Sequence, residues 1–402
     1  MSTNPWGHRT AHNAPRQRPN MRGTSLYPMA APHARQVAKN IAAKQIPNTW
    51  PIPRNRSKKS RGLRRNGNTC FRLSGLQALL HLPRFLQWII SHNSMRNGTR
   101  IFPCRPAHVI HAQLDLNMSS TTISSNKKIP SIDELPEKEL TQLKKKLEKK
   151  EKKNPGSTLT DCPACAVKAL AQFYWGIQNL NAGGVPDSLP FNNAELDRVH
   201  QVDNMLRQFT PGADTGAGNA QEDPEEMQTR LLTACLESVN YHLNENTAWK
   251  ARYEALFILQ QECFWNCPCG SQQVPPNNPA PDSIGFNNIA ILSNGTPDSL
   301  EEAMRREFEP TPLSTFHCHI CNSTQQRMQS TRIEGSPEYL RIKLSIVNSN
   351  GTPNLNPVNL PEVLNLSEYQ AVGDGPPLLM YRLSSVLAHG GKHNAGHWVA
   401  SN

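Results

Sequence analysis

Four segments hold residues whose types and spacing suit chemistry. In the first, Cys70 follows the turn residues Asn66-Gly67-Asn68-Thr69 and precedes Phe71, Leu76, Leu79 and Leu80 at roughly helical spacing. Thr69 suits an N-cap, which puts the thiol at a helix N-terminus. The positive end of the helix dipole favours thiolate there, and thiolate is the nucleophilic form. The second segment, Gln221 to Leu232, opens with Asp223, Glu225 and Glu226 ahead of an apolar helical pattern. Such an acidic first turn complements the helix dipole. The third pairs Cys267 and Cys269 with Cys318 and Cys321. Thiolates grouped in twos suit tetrahedral Zn²⁺, with reduced structural cysteines as the alternative and Cys263 as a substitute ligand. The fourth carries His389, His393 and His397 close to the end of the chain. A further Cys-x-x-Cys, Cys162 and Cys165, has no second pair nearby in sequence and starts an apolar pattern. It reads as two half-buried helix cysteines, without the context of a redox motif.

These residues need elements to position them. Helices are expected from Cys70, over 133–153, over 160–180 and over 223–244. The second of these is a charged, solvated helix with a thin stripe of Leu140, Leu143 and Leu147. After residue 283 the pattern changes to strands, Ile284 to Leu292 and Leu340 to Val347. Helices first and strands later predict an α+β fold.

The chain has 402 residues, mean hydropathy −0.59 and net charge +11. No Asp or Glu precedes Asp115, whereas residues 1–114 carry 19 Lys and Arg. A basic N-terminal region therefore leads into a mildly acidic body. Residues 1–60, rich in Pro, Asn and Arg, read as a disordered tail. Within and beyond it, the run Arg54 to Arg65 suits nuclear localisation, nucleic-acid contact or simple solvation. The Arg-rich, acid-free start also resembles a mitochondrial transit peptide, though no amphipathic helix is evident. No apolar core of a secretory signal follows the first basic residues, so a disulfide framework is not expected from the ten cysteines. The longest apolar stretch, Leu76 to Ile90, is too interrupted to span a bilayer, so no membrane partner is expected.

The segment Gly62 to Leu80 resembles the cysteine box of ubiquitin-specific proteases. It matches at Gly62, Leu63, Gly67, Asn68, Thr69, Cys70, Ser74, Leu76 and Gln77, with Phe71 for the aromatic. Residues Gln221 to Leu232 resemble a second box, with Met227 in its Phe position. Residues Tyr381 to Trp398 resemble the histidine box, matching at Tyr381, Leu383, Val386, His389, Gly391, Gly396 and His397, with Trp398 for Tyr. The two cysteine pairs look like the zinc fingers of the same family, although the first pair is tighter than its Cys-x-x-Cys. Four boxes in the family's order cover residues 62–402.

The resemblance implies a papain-like fold with a helical thumb (61–250, carrying a charged insertion at 116–158) and antiparallel fingers and palm (251–402). It implies a thiol-dependent deubiquitinase that cleaves after the C-terminal Gly of ubiquitin. Cys70 would be the nucleophile and His397 the general base, with His389 a structural loop residue. Gln221, Asp223, Glu226 and Trp398 would contact the substrate, the acidic residues holding its basic C-terminal segment. Cys267, Cys269, Cys318 and Cys321 would hold a structural zinc. Ubiquitin and ubiquitinated proteins would be the partners, in the cytoplasm or nucleus. Two departures matter. Arg65 stands at the oxyanion-donor Asn, so Arg65 or neighbouring Asn66 would have to donate in its place. The family's His-orienting Asp or Asn lies on a strand well beyond the histidine box, whereas the sequence ends five residues after His397, and Asn402 is too close to serve. On this reading the chain is truncated or a degenerate member. A catalytically impaired ubiquitin-binding relative is therefore an alternative. A zinc-containing nucleic-acid-binding protein is another, resting on the basic N-terminal region.

Overall fold

The computed structural model describes residues 32–51, 69–120, 130–176 (except 154, 156 and 157), 202, 223–292 (except 268, 271 and 274–281), 295–345 (except 296, 314–317, 319 and 323–326), 347–371 (except 349–351 and 353) and 378–401 (except 393 and 394), with 60 and 63. The expected order of helices before strands is observed, except that a short hairpin over 94–101 stands among the helices. The helices are α1 Pro32–Lys44, α2 Cys70–Leu80, α3 Pro83–Ser91, α4 Ala107–Ser120, α5 Glu137–Lys153, α6 Pro163–Tyr174, α7 Pro224–Glu237 and α8 Thr247–Phe257, followed by α9 Leu300–Glu307 among the strands. Among the described residues, no helix is long and apolar enough to cross a membrane.

Pro83 separates α2 from α3, because proline suits a first helical turn and cannot continue a preceding helix. The two helices bury Leu76, Leu79, Leu80, Phe85, Leu86, Trp88 and Ile89 against Val167 and Leu170 of α6, Leu231 of α7 and Trp249 of α8. Trp88 stacks on Trp249 at 4.4 Å between ring centroids. The Trp175 indole N–H donates to the Leu80 carbonyl at 2.8 Å, satisfying a C-terminal carbonyl of α2. Helix α5 buries no residue, as expected of a solvated charged helix.

The strands are β1 Ser94–Arg96, β2 Thr99–Ile101, β3 Gln260–Asn266, β4 Gln272–Gln273, β5 Phe286–Ile289, β6 Asp298–Ser299, β7 Thr311–Leu313, β8 Arg327–Gly335, β9 Ile342–Leu344, β10 Val358–Asn359, β11 Val363–Asn365, β12 Met380–Arg382, β13 Val386–Lys392 and β14 Ala395–Ser401. An antiparallel sheet has the order β4-β3-β8-β7, while β5–β9 and β6–β10 pair in parallel. A second core gathers Phe286, Ile289, Leu300, Met304, Phe308 and Leu366. Phe308 stacks on Tyr369 at 4.2 Å.

Helix α1 corrects the expectation of a structureless segment over 1–60. It packs on α8 and β8, and it does so largely through polar side chains. Gln36 Oε1 accepts from the Ser336 N–H at 2.7 Å, and Arg35 pairs with Glu334 at 2.9 Å. Lys39 donates to the carbonyls of Glu254 (3.0 Å) and Ile258 near the C-terminal end of α8. The apolar contribution is mostly alanine (Ala42 and Ala43), so the sequence shows no strong helical stripe.

Burial pushes the Lys39 ammonium down from its ordinary 10.5 to about 8, against the attraction of Glu254 and Asp282. The unfolded chain holds that proton up to about 10.5, so between the two values the unfolded state binds more protons and stability rises with pH. The full shift corresponds to roughly 3 kcal/mol. We expect the native chain to gain about that much relative to Lys39→Met between pH 7.5 and 10.5, read by urea unfolding. A pH-independent difference would mean that α1 is not docked through Lys39.

Candidate active site

Cys70 is the first residue of α2, with Thr69 as N-cap, and its side chain is buried. The helix is buried nearly all round, from Cys70 and Phe71 through Ser74, Leu76 and Leu80. Its position is set by α7, the helix that follows the acidic turn. Gln228 donates to the Gly75 carbonyl at 2.9 Å in a buried contact. A Cβ on Gly75 would lie 2.4 Å from the Met227 methyl, so the absence of a side chain allows the close approach. The second segment thus positions the helix that begins at Cys70 through Met227, which stands at that box's Phe position, and through Gln228, which had no role in the sequence reading.

The hairpin β13–β14 packs against α2. Its register sets His397 opposite Gly390, His389 opposite Trp398 and Gly391 opposite Gly396. The His389 and Trp398 rings lie 5.0 Å apart, and Trp398 reaches the helical core. His397 is exposed. No side chain fits at Gly396, where a Cβ would stand 2.3 Å from His389 Nε2 and 2.5 Å from the Gly390 carbonyl oxygen. The fold therefore brings the histidine hairpin against the helix that begins at Cys70. Arg65, Asn66 and Gln221 lie outside the described residues.

Asp223 is the N-cap of α7, and its Oδ1 accepts from the Glu225 N–H at 2.8 Å. Its other oxygen pairs with Lys343 at 2.5 Å. Glu225 pairs with Arg341 at 2.7 Å, and Arg341 also donates to Thr229 Oγ1 and the Ile284 carbonyl, both at 2.8 Å. Two of the three acids thus tie α7 to the segment around β9. Glu226 keeps a side chain 54% exposed, paired with Arg230 one turn on. The role of Glu225 and Arg341 had no local signal, since they lie 116 residues apart.

Cys267 and Cys269 follow β3, and Cys318 and Cys321 lie between β7 and β8. The ladder of Asn266 opposite Met328 brings the two ends together. Each pair sits in a turn, with Gly270 N–H donating to the Cys267 carbonyl (2.9 Å) and Asn322 N–H to that of Cys318 (2.8 Å). The sulfurs of Cys267 and Cys321 are 3.5 Å apart, those of Cys269 and Cys318 3.8 Å, and all four fall within 4.8 Å of one another. A tetrahedral ion with metal–sulfur bonds of ~2.3 Å sets its sulfurs roughly 3.8 Å apart, so the four thiols fit such an ion. Cys263 is not among them. It lies on β3 beside Thr331, at 3.6 Å.

No protein among the curated sequences matches the chain. Among the solved structures that resemble it in fold are two DUB modules. One is a SAGA Ubp8/Sgf11/Sus1/Sgf73 DUB module bound to ubiquitin aldehyde, with TM-score 0.53 and 18% identity over 88% of this chain and 64% of that one. The other is the module with a Ubp8 variant, bound to monoubiquitin, with TM-score 0.50 and 20% identity over 88% and 63%. The chain therefore spans less than two thirds of the length of these structures. The family model described as ubiquitin carboxyl-terminal hydrolase matches residues 61–402, and the chain belongs to that family.

Proposed function

We propose that the chain is a thiol-dependent deubiquitinase that hydrolyses isopeptide or peptide bonds after the C-terminal Gly of ubiquitin. The observation that carries this reading is the packing of the His397 hairpin on the helix that begins at Cys70. The Cys70 thiol gives its proton to His397, and the resulting thiolate attacks the glycine carbonyl. The tetrahedral adduct collapses to a thioester as His397 returns the proton to the leaving lysine amine. Water, deprotonated by His397, then releases ubiquitin and restores the thiol. Glu226, exposed on the first turn of α7, supplies negative charge toward the basic tail of the substrate. Asp223 contributes more weakly because Lys343 already pairs with it. Trp398, the next residue of β14, points to the opposite face from His397 and packs toward the helical core, so it supports the strand that carries His397.

In the fingers, Cys267, Cys269, Cys318 and Cys321 hold a zinc ion. Four protein ligands leave no open position, so the ion supplies cross-linking and takes no part in the reaction.

The experiment is hydrolysis of ubiquitin bearing a C-terminal fluorogenic amide. We expect turnover that is lost in Cys70→Ala. Ubiquitin binding by the native chain without turnover would replace this reading with that of a non-catalytic ubiquitin binder. A second expectation concerns Gly396→Ala. Its methyl forces apart His389 and Gly390 next to the strand position of His397. Misplacement of a catalytic group by about 1 Å costs on the order of 10² in rate. Turnover should fall by about that factor with ubiquitin affinity little changed, and equal loss of both would point to general unfolding of the hairpin.

A further inference from the structure

We propose a second metal site, in the helical half of the molecule, formed by His92, Cys104, Cys162 and Cys165 and selective for a thiophilic tetrahedral ion such as Zn²⁺. The Cys162-x-x-Cys165 pair has no partner nearby in sequence, but the fold supplies two. His92 Nε2 lies 3.2 Å from the sulfur of Cys104 and 3.2 Å from that of Cys162. The sulfurs of Cys104 and Cys165 are 3.3 Å apart. All four ligand atoms fall within 4.8 Å of one another. Bonds of ~2.3 Å to sulfur and ~2.0 Å to nitrogen need edges of roughly 3.5 to 3.8 Å, so an ion enters with shifts of a few tenths of an ångström.

The surroundings support a built site. His92 is fully buried and aims one ring nitrogen between two sulfurs, where a hydrogen bond would need only one. Its Nδ1 has no hydrogen-bond partner among the described residues. Cys162 is the N-cap of α6 and Cys165 lies in its first turn, so the helix N-terminus stabilises their thiolates. Three thiolates and a neutral imidazole around a divalent ion carry one net negative charge, and Lys168 offsets it from close by, donating to the His92 carbonyl at 2.7 Å. Three sulfurs and one imidazole suit zinc and exclude magnesium and calcium, which take oxygen ligands.

The site closes two loops. His92 and Cys104 flank the β1–β2 hairpin, whose ends are pinned by the Asn93 N–H donating to the Phe102 carbonyl at 2.9 Å. Asn93 and Phe102 both take positive φ of 49°. A bulky aromatic in that region is strained and needs its surroundings to hold it. The metal would fasten this strained corner to α6, across the excursion made by α4 and α5. Four protein ligands make it a structural site, and the inference does not depend on the hydrolase reading.

The test is metal content of the full chain purified without chelator, by mass spectrometry. We expect about two zinc ions per chain, one for each group of four ligands. Cys162→Ser/Cys165→Ser should hold about one, and so should Cys318→Ser/Cys321→Ser. Because a double serine variant can fail to fold, His92→Cys provides a second arm. It should keep both ions and, when loaded with Co²⁺, show stronger sulfur-to-cobalt charge transfer than the native chain. A native ratio of about one, lost entirely in the Cys318→Ser/Cys321→Ser variant, would overturn the proposal. So would a Cys104–Cys165 disulfide in the freshly isolated protein, or an unchanged cobalt spectrum in His92→Cys.

Discussion

Replacing Cys70 by alanine should abolish turnover of ubiquitin conjugates, a loss bounded by the ~10⁶ in kcat that removal of the nucleophile costs a complete triad. Cys70 is the single cysteine of α2. It opens α2 and is held in register by Gln228 on Gly75 and by the Phe71 and Leu76 packing around it. Alanine keeps the helix start and removes only the sulfur, so the helical core and the fingers should stay intact. Affinity for ubiquitin should therefore be kept, and the variant should trap conjugates that the native chain cleaves. Steady-state kinetics paired with a binding isotherm separates the two effects. A parallel loss of binding would mean that the cysteine supports the fold more than the chemistry.

The second large effect is expected from removing the zinc that we propose Cys267, Cys269, Cys318 and Cys321 hold. With free zinc at a thousand times its Kd, the ion contributes about 4 kcal/mol to the folded state. Cys267 and Cys318 are buried, and the turns at Cys267–Gly270 and Cys318–Asn322 fasten the far end of the β3–β8–β7 sheet. Cys318→Ser should lower stability by several kcal/mol. It should also expose the amides at the Asn266 end of β3 and the Arg327 end of β8 to hydrogen exchange. The Gln260 end, paired with Gly335 beside α1, should keep its protection. Metal release should follow falling pH, since each ligand sulfur must lose its proton to bind. Hydrogen exchange that is uniform along the sheet would show that the fingers stand without the ion.

Much of the site could be read along the chain because its parts are local. The helix start at Cys70 is announced by Thr69 and by a run of leucines, and the histidine hairpin by Gly391 and Gly396. The glycine at 396 turned out to be required by the close approach of His389 and Gly390. The finger cysteines were legible as two pairs, but which four sulfurs meet depended on the β3–β8 register, and that register left Cys263 aside.

What was not legible depends on contacts far apart in sequence. Helix α1 docks by Arg35, Gln36 and Lys39 on partners some 300 and 215 residues away, with alanines in place of an apolar stripe. Asp223 read as an acid for the substrate and Glu225 only as part of an acidic first turn, and Lys343 and Arg341 then proved to meet them across more than a hundred residues. Cys162 and Cys165 lacked a visible second pair because their partners, His92 and Cys104, lie 70 and 61 residues away from them. None of the three leaves a periodic pattern.

The central claim is that Cys70 is a nucleophile aimed at the C-terminus of ubiquitin. It is tested most directly by reacting the full chain with ubiquitin whose C-terminal glycine carries an electrophile, and measuring the intact mass. The account predicts a shift of one ubiquitin, mapped to the peptide containing Cys70 and absent in Cys70→Ala. An adduct on another cysteine, or none at all from a chain that binds ubiquitin, would contradict it.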